Sequence, residues 1–335
     1  LNRGNKKMAI SKQEVFFKKE SAWGTGADPT APTTTQLEVL GKTLDFSFKS
    51  ENSANITNNS SSHLPLYRTM GNVAYTGTYN FEYVNAMPFA LMLGTVTATD
   101  PVEEKAPYVW TITPTASIPS FSASVLGVAT NEINTQLAGC YATSLSFRLG
   151  LTGGATGTLN FIAKSKTDTA FTAPTTITLP TASPIESIGT AIDIGDLTDI
   201  AYLTEIDFTI SRDSKINYSL SSRTGTQNVL GKYGAITGSL TAWVEDSATA
   251  RELEDIVTAE DCLAEQDIVI DWLPSCNTSP AVDDQVTITI KDATLKSAEM
   301  RFPLNDGVAY TIPFIAKYVS SVVWQAPATV ASGGW

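Results

Sequence analysis

Apolar and polar residues alternate with period two over much of the chain. Leu44, Phe46 and Phe48 alternate with Asp45, Ser47 and Lys49, and Val73, Tyr75, Tyr79, Phe81 and Tyr83 with Thr76, Thr78, Asn80 and Glu82. Later, Ile206, Phe208 and Ile210 alternate with Asp207, Thr209 and Ser211. Side chains leave a strand on opposite faces in turn, so this pattern predicts antiparallel strands with one buried and one wet face. Further strands are predicted at 12–17, 107–113, 118–126, 140–150, 156–165, 267–272, 285–291, 294–302 and 308–319. Helical spacing is confined to two places. Asp246-Ser247 can cap a helix over 247–259, with Ala250, Leu253, Ile256 and Val257 on one face and Glu252, Glu254 and Asp255 on the other. The other is the shorter apolar stretch 85–93, stopped by Gly94.

Part of the sequence occurs twice. Residues 145–164, LSFRLGLTGGATGTLNFIAK, align without a gap on 298–317, AEMRFPLNDGVAYTIPFIAK, at a constant offset of 153. Arg148 falls on Arg301, Gly154 on Gly307, and Phe161-Ile162-Ala163-Lys164 on Phe314-Ile315-Ala316-Lys317. Thr76-Gly77-Thr78 falls on Thr237-Gly238-Ser239 at an offset of 161, and Leu44-Asp45-Phe46 on Ile206-Asp207-Phe208. The order is the same in both halves, which implies one unit duplicated and fused. Each half reads strand, long loop, strand, helix, then about four strands, a β-sandwich with one flanking helix. The expected organisation is an arm at 1–41, a β domain at 42–166, a linker at 167–203, a second β domain at 204–319 and a tail at 320–335.

The loop between the first two strands is long in both halves, 50–72 and 212–232. Loops of about twenty residues inside a compact domain are usually functional or disordered. Their recurrence at equivalent places reads as contact segments, with Asn55, Asn59, His63, Tyr67 and Arg68 in the first and Arg212, Asn217, Tyr218 and Arg223 in the second. The arm carries Trp23 and Gly24 in a Pro/Gly/Thr-rich tract with no core of its own, so it is expected either to be disordered or to lie on something else.

Composition narrows the chemistry. The 335 residues suit two domains of ordinary size. No apolar run approaches the roughly 18–20 residues that span a bilayer, and no secretory signal is visible, so synthesis in a cytoplasm is expected. A net charge of −12 argues against a protein that grips phosphates with clustered Lys and Arg, though not against a surface past which nucleic acid slides. The single histidine, His63, rules out a multi-histidine metal centre and any catalytic triad not built on that residue. Cys140, Cys262 and Cys276 have no metal-type spacing, and no phosphate-binding glycine motif is present. The acids around 245–267 fit a solvated face better than a calcium loop or a glycosidase pair. No enzymatic activity, cofactor or metal is expected.

Several elements together resemble the tailed-phage major tail protein, the subunit of the tail tube. They are Glu20-Ser-Ala-Trp23-Gly24-Thr25 in the arm, a polar loop entering Thr76-Gly77-Thr78, and a short helix after that strand. Gly139-Cys140 then opens a strand pair, and Thr237-Gly238-Ser239 precedes the acidic helix. The resemblance spans Met8 to about Trp324. It implies subunits whose sheets join side by side into an inner barrel, with rings stacked into a hollow tube through loops and arms. It further implies as partners other copies of the chain, a tape-measure protein, tail terminator and tip or baseplate proteins, and duplex DNA passing without specific binding. Such a lumen would carry the wet faces of the repeated strands: Asp45, Ser47, Thr76, Thr78, Asn80 and Glu82, with Asp207, Thr209, Ser211, Thr237, Ser239 and Glu245. Single-domain tube subunits form six-fold rings, so a doubled subunit could close the same barrel with three chains, or keep true hexamers if the second copy is a decoration. The alternatives are another virion part (head decoration, baseplate or fibre), a surface adhesin, or a β-sandwich carbohydrate hydrolase using a pair such as Glu252 and Asp255.

Overall fold

A computed structural model describes residues 13–24, 41–52, 55–58, 65–69, 72–99, 108–127, 135–151, 153–168, 190–195, 203–219, 222–244, 265–272, 285–296, 299–301 and 308–326. The first half contains β1 (Gln13–Lys19), β2 (Gly41–Asn52), β3 (Asn55–Asn58), β4 (Pro65–Thr69), β5 (Val73–Tyr83) and α1 (Met87–Leu93). It continues with β6 (Gly94–Thr99), β7 (Tyr108–Pro114), β8 (Phe121–Gly127), β9 (Thr135–Gly150), β10 (Thr156–Ala163) and β11 (Ser165–Thr167). The second half contains β12 (Ala191–Ile194), β13 (Leu203–Asn217), β14 (Gln227–Tyr233), β15 (Ile236–Val244), β16 (Gln266–Trp272), β17 (Gln285–Leu295), β18 (Glu299–Arg301) and β19 (Val308–Ala326). The protein is mainly β, as the alternation predicts. The helix expected at 247–259 lies outside the described residues.

One antiparallel sheet runs through both halves in the order β2-β5-β10-β9-β13-β15-β19-β18. The junction between the halves is the β9:β13 ladder, where Phe147 stands opposite Phe208 and Arg148 opposite Asp207. A second layer covers the apolar face of this sheet. On the first half it is β1, β8, the start of β9 and β11. On the second it is β12, β16, β17 and the end of β19, extended by β7 and β6. The long strands β9 and β19 each pass from one layer to the other. Aromatic rings fill the space between the layers. Phe17 meets Tyr79 at 4.9 Å, Phe121 meets Phe161 at 5.5 Å, and Trp272 meets Phe147 at 5.4 Å between ring centres.

Helix α1 plugs one end of this core. The side chain of Asn85 accepts from Met87 N–H, Pro88 fits the first turn where no intrahelical donor is needed, and Gly94 at φ 104° ends it. All seven of its residues are buried, so its apolarity is that of a core element.

The repeated motifs have a common packing reason. Gly77 lies opposite Phe161, and Gly238 opposite Phe314. A Cβ on Gly77 would come 2.3 Å from the Phe161 ring, and one on Gly238 would come 2.5 Å from the Phe314 ring. Each phenyl lies across the bare glycine of its neighbour strand, which ties Thr-Gly-Thr/Ser to Phe-Ile-Ala-Lys. Gly77→Ala and Gly238→Ala should each cost about 1–3 kcal/mol from overpacking, read as a lower urea midpoint at unchanged slope.

Ladder positions match between the halves, with one difference from the sequence alignment. Arg148 pairs with Thr156 and Arg301 with Ala309, both consistent with an offset of 153. A bulge interrupts β2 between Thr43 and Asp45 and β13 between Leu203 and Glu205. It places Asp45 on Glu205, Phe46 on Ile206, Ser47 on Asp207 and Phe48 on Phe208, an offset of 160 where the sequence suggests 162. A slip of two keeps every side chain on its face, so alternation alone does not distinguish the two registers.

Three expected boundaries also move. The stretch taken as linker contains β12, whose buried Ile192 and Ile194 belong to the core. The expected tail continues β19 to Ala326, pairing with β17 and β7. The two twenty-residue loops are largely hairpin: β3 pairs with β4, and the far end of β13 with β14.

Candidate functional site

The wet face of the eight-strand sheet is continuous across the junction of the halves. One row of opposed residues runs Asp45, Asn80, Thr158, Ser146, Thr209, Thr237. The next runs Ser47, Thr78, Asn160, Ser144, Ser211. A third runs Lys42, Glu82, Thr156, Arg148, Asp207, Ser239. Eleven of the twelve proposed lumen residues, including Thr76 beside Lys49, therefore share one face, and Glu245 lies outside the described residues.

Short polar side chains on this face bind one another across strands. Thr78 Oγ1 donates to Asn160 Oδ1 at 2.8 Å, Thr158 Oγ1 to Asn80 Oδ1 at 2.7 Å, and Asn160 Nδ2 to Ser144 Oγ at 2.9 Å. Its charge is more balanced than the chain's net acidity suggests. Asp45, Glu51, Glu82, Glu205 and Asp207 share it with Lys42, Lys49 and Arg148. Lys42 bridges Glu82 at 2.8 Å, Arg148 bridges Glu205 at 2.6 Å, and the Ser239 hydroxyl donates to Asp207 at 2.5 Å. The hydrogen bond and charge of Glu205 raise the Arg148 pKa further, so this cation is fixed. Exposed pairs of this kind add little stability. They do neutralise much of the local field.

The two margins of the sheet are β2 and β18. Among the described residues, each has a strand on one side only. Leu44 and Phe48 of β2 are large, apolar and exposed, Phe48 at 37% against 1% for its ladder equivalent Phe208. An uncovered edge with apolar residues is a template for another strand.

The proposed contact residues divide. Asn55, Tyr67 and Arg68 lie in the β3:β4 hairpin, while Asn59 and His63 are outside the described residues. Asn217 is exposed at the end of β13, and its carbonyl accepts from Thr226 N–H at 2.9 Å. The Tyr218 hydroxyl donates to the Val73 carbonyl at 3.3 Å, and the Arg223 carbonyl accepts from Val73 N–H at 3.2 Å, so this segment lies against the start of β5.

Arg212 is a correction. It is buried, with Nε donating to the Gly231 carbonyl at 2.9 Å and the terminal nitrogens donating to the carbonyls of Thr115 and Ala116 and to the Tyr233 hydroxyl. Its guanidinium is engaged within the fold, where it ties the second half to the loop after β7. Alternation hides this, because a buried arginine and an exposed one look alike in sequence.

The arm is corrected in the same way. Trp23 Nε1 donates to the Gly139 carbonyl at 3.1 Å, and Lys164 Nζ sits 4.4 Å from the ring centre. Gly24 N–H donates to Glu20 at 2.8 Å. Trp23 and Gly24 thus dock on their own chain. The organiser is Glu20, buried and missed by sequence reasoning, which also accepts from Gly139 N–H and the hydroxyls of Ser120 and Ser122. A charged residue in a Ser/Gly/Thr tract gave no sign of burial.

Among the described residues nothing resembles catalytic machinery. Burial pushes the Cys140 thiol well above its usual range, away from the nucleophilic thiolate. Among the described residues there is no His/Cys/Asp/Glu group able to hold a metal and no helix long and apolar enough to cross a membrane. No curated protein matches the chain. The family model for phage tail tube proteins matches residues 10–275, well over half of the chain. A continuous polar sheet face with open margins, in a chain matched over that length, belongs to the phage tail tube protein family, making this a structural, non-enzymatic protein of the virion tail.

Proposed function

We propose that the chain polymerises as stacked rings into the tail tube, and that the wet face of its eight-strand sheet lines the bore through which duplex DNA passes. The carrying observation is the continuity of that face across the β9:β13 junction. In this reading the halves β1–β11 and β12–β19 are tandem tube-type units, and the junction between them is the contact that other units repeat. An eight-stranded barrel is just wide enough for side chains to fill its interior, whereas barrels of roughly 16–18 strands leave an aqueous channel. Three chains of eight strands would supply about 24, giving an open pseudo-six-fold ring.

The face suits a conduit because it offers hydroxyls and amides already engaged with one another and charges mostly paired. Among the described residues, the face offers no cluster of cations to DNA bearing one charge per roughly 1.7 Å. A slight acidic excess, from Asp45 and Asp207, repels it within a screening length of about 8 Å. The hairpin tips and terminal segments are left for the neighbouring ring, and tape-measure, terminator and tip or baseplate proteins for the bore and the two ends of the tube. Native mass measurement of isolated rings tests the stoichiometry: three chains are expected, and six would overturn the pseudo-six-fold ring.

A further inference from the structure

The β6:β7 hairpin belongs to one half by sequence and to the other by pairing. It follows α1 in the first half, yet β7 pairs with the end of β19, Ile112 opposite Val322 and Trp110 opposite Trp324. Among the described residues the second half has no counterpart to it. Strands β8 and β16 hold equivalent places, since Phe121 opposes Cys140 as Gln266 opposes Ala293. Residues 84–120 separate β5 from β8, whereas only 245–265 separate β15 from β16. The halves are therefore joined twice, by the β9:β13 ladder in the eight-strand sheet and by this hairpin in the second layer.

The root of the hairpin is clamped from the second half. Thr115 N–H donates to the Leu93 carbonyl at 2.9 Å and closes the root. Gly94, at φ 104°, lets it close tightly, because a Cβ there would stand 2.6 Å from Thr115 and 2.7 Å from Ile118. The Tyr233 hydroxyl lies 2.9 Å from the Met92 carbonyl and 3.0 Å from that of Leu93. These are the last carbonyls of α1, which have no donor within the helix. Burial raises the Tyr233 pKa, so the hydroxyl keeps its proton for them. It also accepts from Arg212 at 3.1 Å, and the guanidinium, 4.6 Å from the Tyr233 ring centre, donates onward to the carbonyls of Thr115 and Ala116. Further along the hairpin the contact is apolar. Trp110 and Trp324 pack at 6.4 Å between ring centres, and neither indole N–H has a hydrogen-bond partner among the described residues.

Neighbouring strands in a sheet are rotated against one another by anything from about 10° to 35°. One ladder alone therefore sets the angle between the halves loosely, whereas a ring closes only if its junctions turn by a fixed amount. A second attachment in another layer removes that freedom. Resting on the tube reading above, we propose that β6:β7 is a strap carried by the first half and fastened to the second, and that Arg212 and Tyr233 are the positioning residues that buckle it, holding the halves at the angle ring closure requires. The buckle suits this task because its donors stand on the second half and its acceptors on the first, at Met92, Leu93, Thr115 and Ala116, away from the β9:β13 ladder.

Tyr233→Phe keeps the ring and removes only the hydroxyl. In the unassembled chain, amide hydrogen exchange at 108–114 and 322–326 should become about tenfold faster, while 75–83 and 156–163 keep their protection. On assembly the variant should give open arcs and rings of mixed size in native mass spectra and micrographs, and should need about tenfold more protein to form tubes. Thr111 and Val323 stand directly opposite each other across β7 and β19, so T111C/V323C, oxidised, staples the strap. In the Tyr233→Phe background the staple should restore both the slow exchange and the single ring size. Exchange that rises equally in β5 and β10, or rings of one size at the unsubstituted chain's assembly concentration, would show a role in stability alone and overturn the buckle. Mixed rings that persist once the staple has formed overturn it as well. Failure of the unsubstituted chain to form rings or tubes overturns the tube reading and the role in closure, while exchange still reports whether Tyr233 fastens the strap.

Discussion

Phe147→Ala is expected to cost the folded chain about 3–5 kcal/mol, as truncation of a large buried aromatic does. Phe147 sits where both halves and both layers meet. Its ring centre lies 5.4 Å from Tyr83, 6.1 Å from Phe89, 5.2 Å from Phe208 and 5.4 Å from Trp272. Alanine would remove most of the ring volume from a site walled by stiff neighbours on several strands, so collapse cannot recover the lost contacts. Thermal denaturation should show a fall in Tm of about 10 °C. The shape of the transition carries a second result. Because Phe147 packs on Phe208 across the seam, both halves should lose stability together, in one transition. Two transitions, with only the earlier half displaced, would show that the β9:β13 ladder does not couple them.

Glu20→Ala is the second large effect, at about 3 kcal/mol or more. Its carboxylate accepts from the backbone N–H of Gly24 at 2.8 Å and of Gly139 at 2.8 Å, and from the hydroxyls of Ser120 at 2.7 Å and Ser122 at 3.0 Å. Hydrogen bonds to a charged acceptor are worth about 1.5–3 kcal/mol each, and donors left buried without a partner cost about 1–3 kcal/mol. Gly139 is held at φ 67° with Trp23 and Lys164 against it, so Glu20 fixes the turn at 20–24 against the start of β9, beside the β1:β8 ladder that holds the preceding strand. Limited proteolysis should open the turn around 20–24 in the variant while β1, β9 and β10 stay protected. Glu20→Gln, which keeps an acceptor, should lose less. An arm as resistant as in the unsubstituted chain would show that Glu20 does not hold it.

Strand faces were legible in the sequence because burial of one face forces alternation. Tyr79, Phe81 and Tyr83 are fully buried, while Thr78, Asn80 and Glu82 face water. The repeat was legible because glycine-on-phenylalanine packing allows few substitutes at Gly77, Phe161, Gly238 and Phe314. The register between β2 and β13 was not, since a shift of two residues preserves both faces and only the bulge at Thr43/Asp45 fixes it. Arg212 and Glu20 were misread or missed for a shared reason. A buried charge is set by partners distant in sequence, such as Thr115 for Arg212 and Ser120 for Glu20, and no local pattern reports them. The ion pairs of the wet face were not legible, because Arg148 and Glu205 meet only once the halves share a sheet.

A helical reconstruction of the tube at side-chain resolution would count the chains in each ring and show which sheet face meets the bore. Three chains per ring, with Asp45, Thr78, Asn80, Asp207 and Thr209 pointing inward, is the predicted result. Six chains per ring with the second half outside the barrel, or Asp45, Glu82 and Asp207 all on the outer surface, would contradict it.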